Sequence, residues 1–324
     1  MLKIIFLVLS ISLFISENTI IADEKSYSER PEVSEFVDTM YEKHGFNKQQ
    51  LFELLSNSEF QERVVRIMDR QPEGTMTWGQ YKRLIITRDR IALGKQFIQT
   101  YSEDLERAED IFGIPSEIIA SIIGIETSYG KTLGNVRVID SLMTLSFDYP
   151  RRAKFFISQL EDFLLLAREE KLDASKIKGS IAGAMGYGQF MPDSYRLYAV
   201  DFDFDGKRDI LSNPVDAIGS VANFLSKKGK WVANTEIVLE STLKGKRPEI
   251  KSAFKPYLSI YELEKIGIKP LITIRKNTLV APIELEDDME FEYWLGLNNY
   301  HALSRYNRSK LYVMAVYQFS KSLK

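Results

Sequence analysis

A chain of 324 residues, 44% hydrophobic and 27% charged, has the apolar content of a globular protein and room for two or three domains. Its formal net charge of −2 argues against a polyanion-binding surface, so nucleic acid is not an expected partner. There is no cysteine, which excludes disulfides, thiol nucleophiles, Cys-bound zinc and a Cys-linked lipid anchor, and only His44 and His301 occur, neither in a triad or metal motif, which leaves carboxylates as the acid–base groups.

Residues 1–22 read as a secretory signal: Lys3, then an apolar stretch from Ile4 to Ile15 that is too short to span a bilayer, with Ala22 as the cleavage point. An uncleaved N-terminal anchor is the alternative. Helical periodicity follows over 31–44, 48–70, 87–99 and 101–112, with a turn at 71–74 and a loop or short helix at 78–81. The segment 113–235 is also mostly helical. It contains a helix from Asp148-Tyr149-Pro150 to about Lys171, a small-residue stretch 179–192, an acidic loop from Asp201 and a helix over 214–229. Residues 236–297 turn β-leaning, with runs at 237–239, 271–275, 279–285 and 291–295, and the chain returns to helix over 298–323. The expected architecture is mainly α, with an N-terminal helical domain (24–112, joined by 298–324), a core (113–235) and a small β-rich insertion (236–297).

The stretch from Pro115 to Gly130 organises the rest. Gly113 ends one helix and Pro115 suits the first position of the next. Ile119, Ile122, Ile123 and Glu126 fall at helical spacing on one apolar face. Desolvation there, with the helix C-terminus nearby, favours the protonated form of Glu126, as a general acid requires. A Glu that snorkels outward or pairs with an Arg fits the same pattern.

Asp201, Asp203, Asp205, Gly206, Lys207 and Asp209 match the first nine positions of an EF-hand loop, with Lys207 offering its carbonyl. Ser212 stands where the closing Glu belongs, so Asp216 is the substitute ligand; Asn213-Pro214-Val215-Asp216 also suits a helix start, and a solvated acidic turn fits the loop. The stretch 179–192 is not a phosphate loop, and composition alone favours tight helix packing for it. Arg151 and Arg152 suit a carboxylate clamp or plain surface solvation. Tyr306, Asn307 and Tyr312 offer sugar-hydroxyl partners, while the 16 Tyr and 19 Phe suit either a sugar-stacking groove or the core.

The segments IIGIETSYG, LSFDYPRRAKFF, GSIAGAMGYGQFMPDSY, DFDFDGKRDI, NPVDAIGSVANFL and RYNRSKLYVMAVYQF together resemble the lytic murein transglycosylase B family of lysozyme-like enzymes, in order, from about Tyr81 to Phe319. The resemblance implies a lysozyme-like core and cleavage of the β-1,4 bond between N-acetylmuramic acid and N-acetylglucosamine in peptidoglycan. It implies a 1,6-anhydro product, with Glu126 as the single catalytic carboxylate, acid then base. It assigns Tyr81, Arg151, Arg152, Ser180, Gln189, Tyr306, Asn307 and Tyr312 to the glycan groove. It places a structural calcium on Asp201, Asp203, Asp205, the Lys207 carbonyl and Asp216. Phe224 departs from a frequent Tyr, so a groove hydroxyl is missing. The expected form is a soluble periplasmic monomer without a lipid anchor, touching the membrane only through its signal. A non-catalytic peptidoglycan-binding scaffold and a hydrolytic muramidase are the competing readings.

Overall fold

The structure, a computed structural model, describes residues 26–68, 76–287 and 290–324. The expected signal over 1–22, the turn over 71–74 and the end of the helix expected to reach 70 lie outside the described residues. The chain divides into two compact units, Met1–Asn57 and Ser58–Lys324.

In the first unit, α1 (Pro31–His44) starts on a proline and stops where Gly45 turns left-handed, and α2 (Lys48–Ser56) is capped by the Asn47 side chain accepting from Gln50 N–H. Val33, Phe36, Val37 and Met40 share the inner face of α1 and are buried, as are Leu51 and Leu55 of α2.

The second unit opens with α3 (Glu62–Met68), so the single helix expected over 48–70 is two. The reason is local: Glu59 N–H donates to Asp140 and Gln61 N–H to Thr144, at 2.9 and 3.0 Å, instead of to a preceding helical turn. Next come α4 (Trp78–Ile85), opened by a Thr77–Gln80 capping box, α5 (Arg88–Thr100), α6 (Ser102–Phe112) and α7 (Ser116–Thr127). Pro115 is the N-cap of α7, one position before the expected N1. A two-residue strand β1 (Val136–Arg137) leads into α8 (Val138–Phe147). A short 3-10 turn, Pro150–Arg152, precedes α9 (Ala153–Glu169), so Arg151 and Arg152 sit on the turn and not in the long helix. Strand β2 (Lys178–Gly179) pairs with β1, followed by α10 (Pro192–Tyr198) and α11 (Pro214–Lys227).

The β-rich part holds β3 (Val238–Leu243), β4 (Leu258–Ser259), α12 (Ile260–Lys265), β5 (Ile268–Pro270), β6 (Leu279–Asp287) and β7 (Glu290–Gly296). They form one antiparallel sheet in the order β4-β6-β7-β3-β5. Its core is Leu239, Ile260, Leu263, Ile268, Val280 and Leu295. The expected strand over 271–275 is absent. The ladder uses 268–270 instead, and the chain then returns beside α12, where Tyr261 N–H donates to the Lys276 carbonyl at 2.9 Å. The C-terminal helix is also two, α13 (Asn298–Ser304) and α14 (Lys310–Leu323), because the Ser309 hydroxyl accepts from Tyr312 N–H and starts a new helix.

These elements position α7. Ile118, Ile119, Ile122 and Ile123 are at most 2% exposed, so α7 is buried on most sides, with α5, α6, α11 and α14 packed around it. Among the described residues no helix is long and apolar enough to cross a membrane.

Candidate active site

Glu126 lies in the last turn of α7 and is half-buried. Tyr312, in the first turn of α14, donates its hydroxyl to Glu126 Oε1 at 2.7 Å. The Tyr312 ring stacks with Tyr306, the planes 9° apart and the centroids 6.4 Å apart. Burial first, and then the Glu126 charge, hold both phenols well above the usual range, so both stay protonated as donors. Tyr81 of α4, 4% exposed, adds a smaller electrostatic push on Tyr312. Segments far apart in sequence therefore meet here, Tyr306 and Tyr312 at the Glu126 carboxylate and Tyr81 beside Tyr312.

The backbone behind Glu126 is unusual. Ser128, Tyr129 and Gly130 have φ of 49°, 61° and 85°, three left-handed residues in a row. For the two non-glycines this costs roughly 1–2 kcal/mol each. Two contacts hold the turn. The Thr127 hydroxyl accepts from Gly130 N–H at 3.1 Å and lies 3.0 Å from the Tyr187 carbonyl, to which it donates. The Tyr129 phenol fills a slot between α5 and α7 that Gly94 and Gly124 keep open: a Cβ on Gly124 would sit 2.5 Å from Tyr129 Oη. That hydroxyl is buried without a hydrogen-bond partner, and burial raises its pKa. The sequence reading passed over Tyr129, because nothing local says which way a residue beyond a helix end will turn.

The stretch 179–192 is a folded loop and not a helix-packing surface. Met185 and Phe190 form an antiparallel bridge, and the Ser180 hydroxyl accepts from Ala182 and Ala184 N–H at 3.3 and 3.0 Å. The small residues serve close backbone approach: a Cβ on Gly186 would meet the Ile210 carbonyl oxygen at 2.2 Å. Thr127 pins the loop from one side, and the Tyr306 hydroxyl, donating to the Gly188 carbonyl, pins it from the other. Gln189 follows directly after the two anchored carbonyls, with φ 49°. Its Nε2 donates to the Leu133 and Gly186 carbonyls at 3.2 and 3.0 Å, which fixes the amide and leaves Oε1 as an acceptor.

Phe224, 4% exposed, packs on Tyr306, Tyr198 and Phe190 with centroids 4.8, 5.2 and 5.5 Å away. Gln189, Phe190, Phe224 and Tyr306 line a cavity of about 160 Å³ together with Phe155. Arg152 is exposed, and its guanidinium lies 4.5 Å above the Phe155 ring, at the cavity's edge. Arg151 is exposed on the same turn, and Asn307 is half-buried beside Tyr306.

The acidic loop folds on its own side chains. Asp201 accepts from Asp205 and Gly206 N–H, Asp203 from Asp205 N–H and Asn213 Nδ2, and Asp205 from Lys207 N–H. Carboxylate oxygens of Asp201, Asp203 and Asp205 lie within 4.8 Å of one another, a hard-oxygen set that fits a divalent cation. Asp209 turns instead to Leu211 and Ser212 N–H. Asp216 is buried, and its two oxygens accept from Phe202 and Asp209 N–H, both at 2.7 Å, so it ties the ends of the loop together. Burial raises the Asp216 pKa against those two hydrogen bonds.

Glu292 of β7 is a further residue the sequence reading did not single out. It accepts from the indole N–H of Trp78 at 3.2 Å and of Trp294 at 3.0 Å, with Lys82 Nζ 3.5 Å away. It thereby ties α4, which carries Tyr81, to the sheet.

The sequence profile of the Transglycosylase SLT domain matches residues 28–321. The chain belongs to the lytic transglycosylase family. Over 306 residues it is 41% identical to the membrane-bound lytic murein transglycosylase B of Escherichia coli (strain K12), spanning 92% of this chain and 84% of that protein. Among solved structures it matches the E. coli lytic transglycosylase Slt35 in complex with calcium, with TM-score 0.85 and 42% identity, over 92% of this chain and 94% of that one. It also matches SltB3 from Pseudomonas aeruginosa in complex with NAG-anhNAM-pentapeptide, with TM-score 0.75 and 28% identity, over 90% and 78%. The mainly helical, lysozyme-like architecture with a small sheet is thus a family property, and peptidoglycan is the polymer on which this lytic murein transglycosylase acts.

Proposed function

We propose that this lytic transglycosylase cleaves the β-1,4 bond between N-acetylmuramic acid and N-acetylglucosamine with Glu126 as its only catalytic carboxylate. Protonated Glu126 gives its hydrogen to the glycosidic oxygen as the bond from that oxygen to the muramyl C1 breaks. The resulting carboxylate takes the proton of the muramyl 6-hydroxyl as O6 bonds to C1. A 1,6-anhydro end forms, the acid is restored and no water enters. An ordinary glycosidase needs a second carboxylate as nucleophile or base; here the phenols of Tyr312 and Tyr306 stand beside Glu126.

The observation that carries the reading is the Tyr312 hydrogen bond to Glu126 Oε1. It fixes one oxygen, so the proton is carried on the other, and it steadies the carboxylate after the proton has left. Gln189 Oε1 and the Asn307 amide are assigned to sugar amide and hydroxyl groups, with Ser180 shaping their loop. Tyr81, Tyr306, Tyr312 and Phe224 form the walls, and Arg151 and Arg152 the rim that meets the peptide stem. SltB3's complex with NAG-anhNAM-pentapeptide supports both the anhydro product and a peptide-bearing strand. Mass spectrometry of products from defined glycan strands is the test. Anhydro ends are expected, one water lighter than the ends a muramidase leaves, and hydrolytic ends alone would refute the reading.

The acidic loop is assigned a structural calcium on Asp201, Asp203, Asp205 and the Lys207 carbonyl. Asp216, whose two oxygens accept from Phe202 and Asp209 N–H, is assigned to closing the loop behind that set. Slt35's calcium complex supports this. Calcium at about 100 times its dissociation constant is expected to stabilise the chain by about 2.7 kcal/mol, read as a Tm rise that Asp203→Ala abolishes. An identical rise in the variant would refute the assignment. We further infer export to the periplasm as a monomer, and a functional division into the N-terminal helices, the 113–235 core and the 236–297 insertion.

A further inference from the structure

We propose that the outer layer of the β-rich part, α12 with the returning segment 271–278, is a docking face for an anionic lipid bilayer. Among the described residues thirteen large apolar side chains are exposed, and six of them fall between 257 and 279; Leu271 lines a groove with Glu240, Glu290 and Glu292, which leaves Tyr257, Tyr261, Ile266, Ile272 and Leu279 to the layer. Chance does not gather so many in so short a stretch, and clustered exposed apolar side chains mark interaction surfaces. They are not core residues that lack space. Ile260 and Leu263 of α12 are 1% and 0% exposed in the sheet's core, and Ile274 packs against it, so the layer already has an inner face. The two parts of the layer are tied together by Tyr261 N–H donating to Lys276 O and by the Lys276–Glu264 ion pair.

Charge identifies the partner. Residues 244–276 carry nine Lys and Arg against three Glu, an excess of six positive charges in a chain whose formal net charge is −2. Some of these charges are already engaged: Glu262 closes the Ser259 capping box, Glu264 pairs with Lys276, and Arg247 pairs with Glu284 from outside the stretch. Lys265 and Arg275 remain exposed on the layer, with the Lys265 ammonium 4.1 Å from the centroid of the Tyr261 ring. Tyrosine and aliphatic side chains bordered by Lys and Arg are what the headgroup boundary of an acidic bilayer takes up: rings and methyls enter the acyl edge and cations meet the phosphates. A glycan would satisfy the charges and leave Tyr261, Ile266 and Ile272 in water. Such docking would hold the enzyme beside the membrane independently of any N-terminal anchor.

The test is sedimentation of the exported chain with phosphatidylcholine vesicles, with and without about a third phosphatidylglycerol. Binding is expected on the anionic vesicles, weakening as salt is raised. The Tyr261→Asp/Ile272→Asp pair and the Lys265→Glu/Arg275→Glu pair should each lower partitioning by about tenfold or more, while cleavage of soluble glycan strands and the Tm stay unchanged. Equal partitioning of wild type and both variants, whether all bind or none, would overturn the proposal. So would variants that keep their lipid binding and lose binding to isolated cell wall, which would give the face to the polymer.

Discussion

The floor of the site and the β-rich part are built on opposite plans. Around α7 the packing is interlocked: buried isoleucines on most sides, a tyrosine ring wedged between two helices, and three left-handed residues held in place. The core cluster that α12 closes over the sheet is small, and the outer surface carries charged and exposed apolar side chains. The proposed reaction asks one acid to hold its geometry through two proton transfers, which the first plan serves, because a rigid surround costs nothing to reorganise. A part that meets a soft or variable surface is served by the second.

Two glycines sharpen the contrast. A Cβ on Gly124 would strike Tyr129 Oη and Cζ at 2.5 and 2.6 Å and the buried Phe319 ring at 3.0 Å, atoms of rigid aromatic side chains. Gly124→Ala is expected to destabilise the chain by about 2 kcal/mol, overpacking outweighing the gain in helix propensity. Activity should fall too, since the same ring supports the turn after Glu126. A Cβ on Gly79 would meet Asp287 Oδ1 even closer, at 2.2 Å, but that atom ends a side chain that can swing away. Gly79→Ala should therefore change stability by no more than about 0.5 kcal/mol. Denaturant melts of the two variants check this, and equal losses would erase the distinction. Glu292→Gln lies between these outcomes. It keeps one acceptor for two indole N–H groups, and a loss of about 1 kcal/mol is expected, with a raised KM and little change in kcat because α4 carries Tyr81. A fall in kcat at constant KM would place Glu292 elsewhere in the account.

The helices were legible in the sequence wherever periodicity and a cap coincided, as at Pro31–His44 and Pro214–Lys227. The two helices that proved broken, over 48–70 and 298–323, keep apolar period across the break. What divides them is where single N–H groups go: Glu59 to Asp140, and Tyr312 to Ser309. Glu126 stood out because it is an acid on an apolar face. Its partner Tyr312 lies 186 residues away, and the Tyr187 carbonyl that holds the adjoining Thr127 lies 60 residues away, distances at which neither spacing nor propensity carries information. Composition suggested a helix-packing role for 179–192. Small residues permit close approach without saying whether a helix, a ligand or the loop's own backbone will approach, and here the chain's own backbone does.

The central claim is that one carboxylate performs both proton transfers, and Glu126→Gln tests it most directly. The amide has nearly the shape of the acid and can still accept from Tyr312 but cannot give or take the proton. Turnover on purified glycan strands should fall by about a thousandfold or more, with Tm and strand binding close to wild type. Activity within about tenfold of wild type, only ~1.4 kcal/mol of barrier, would contradict the account.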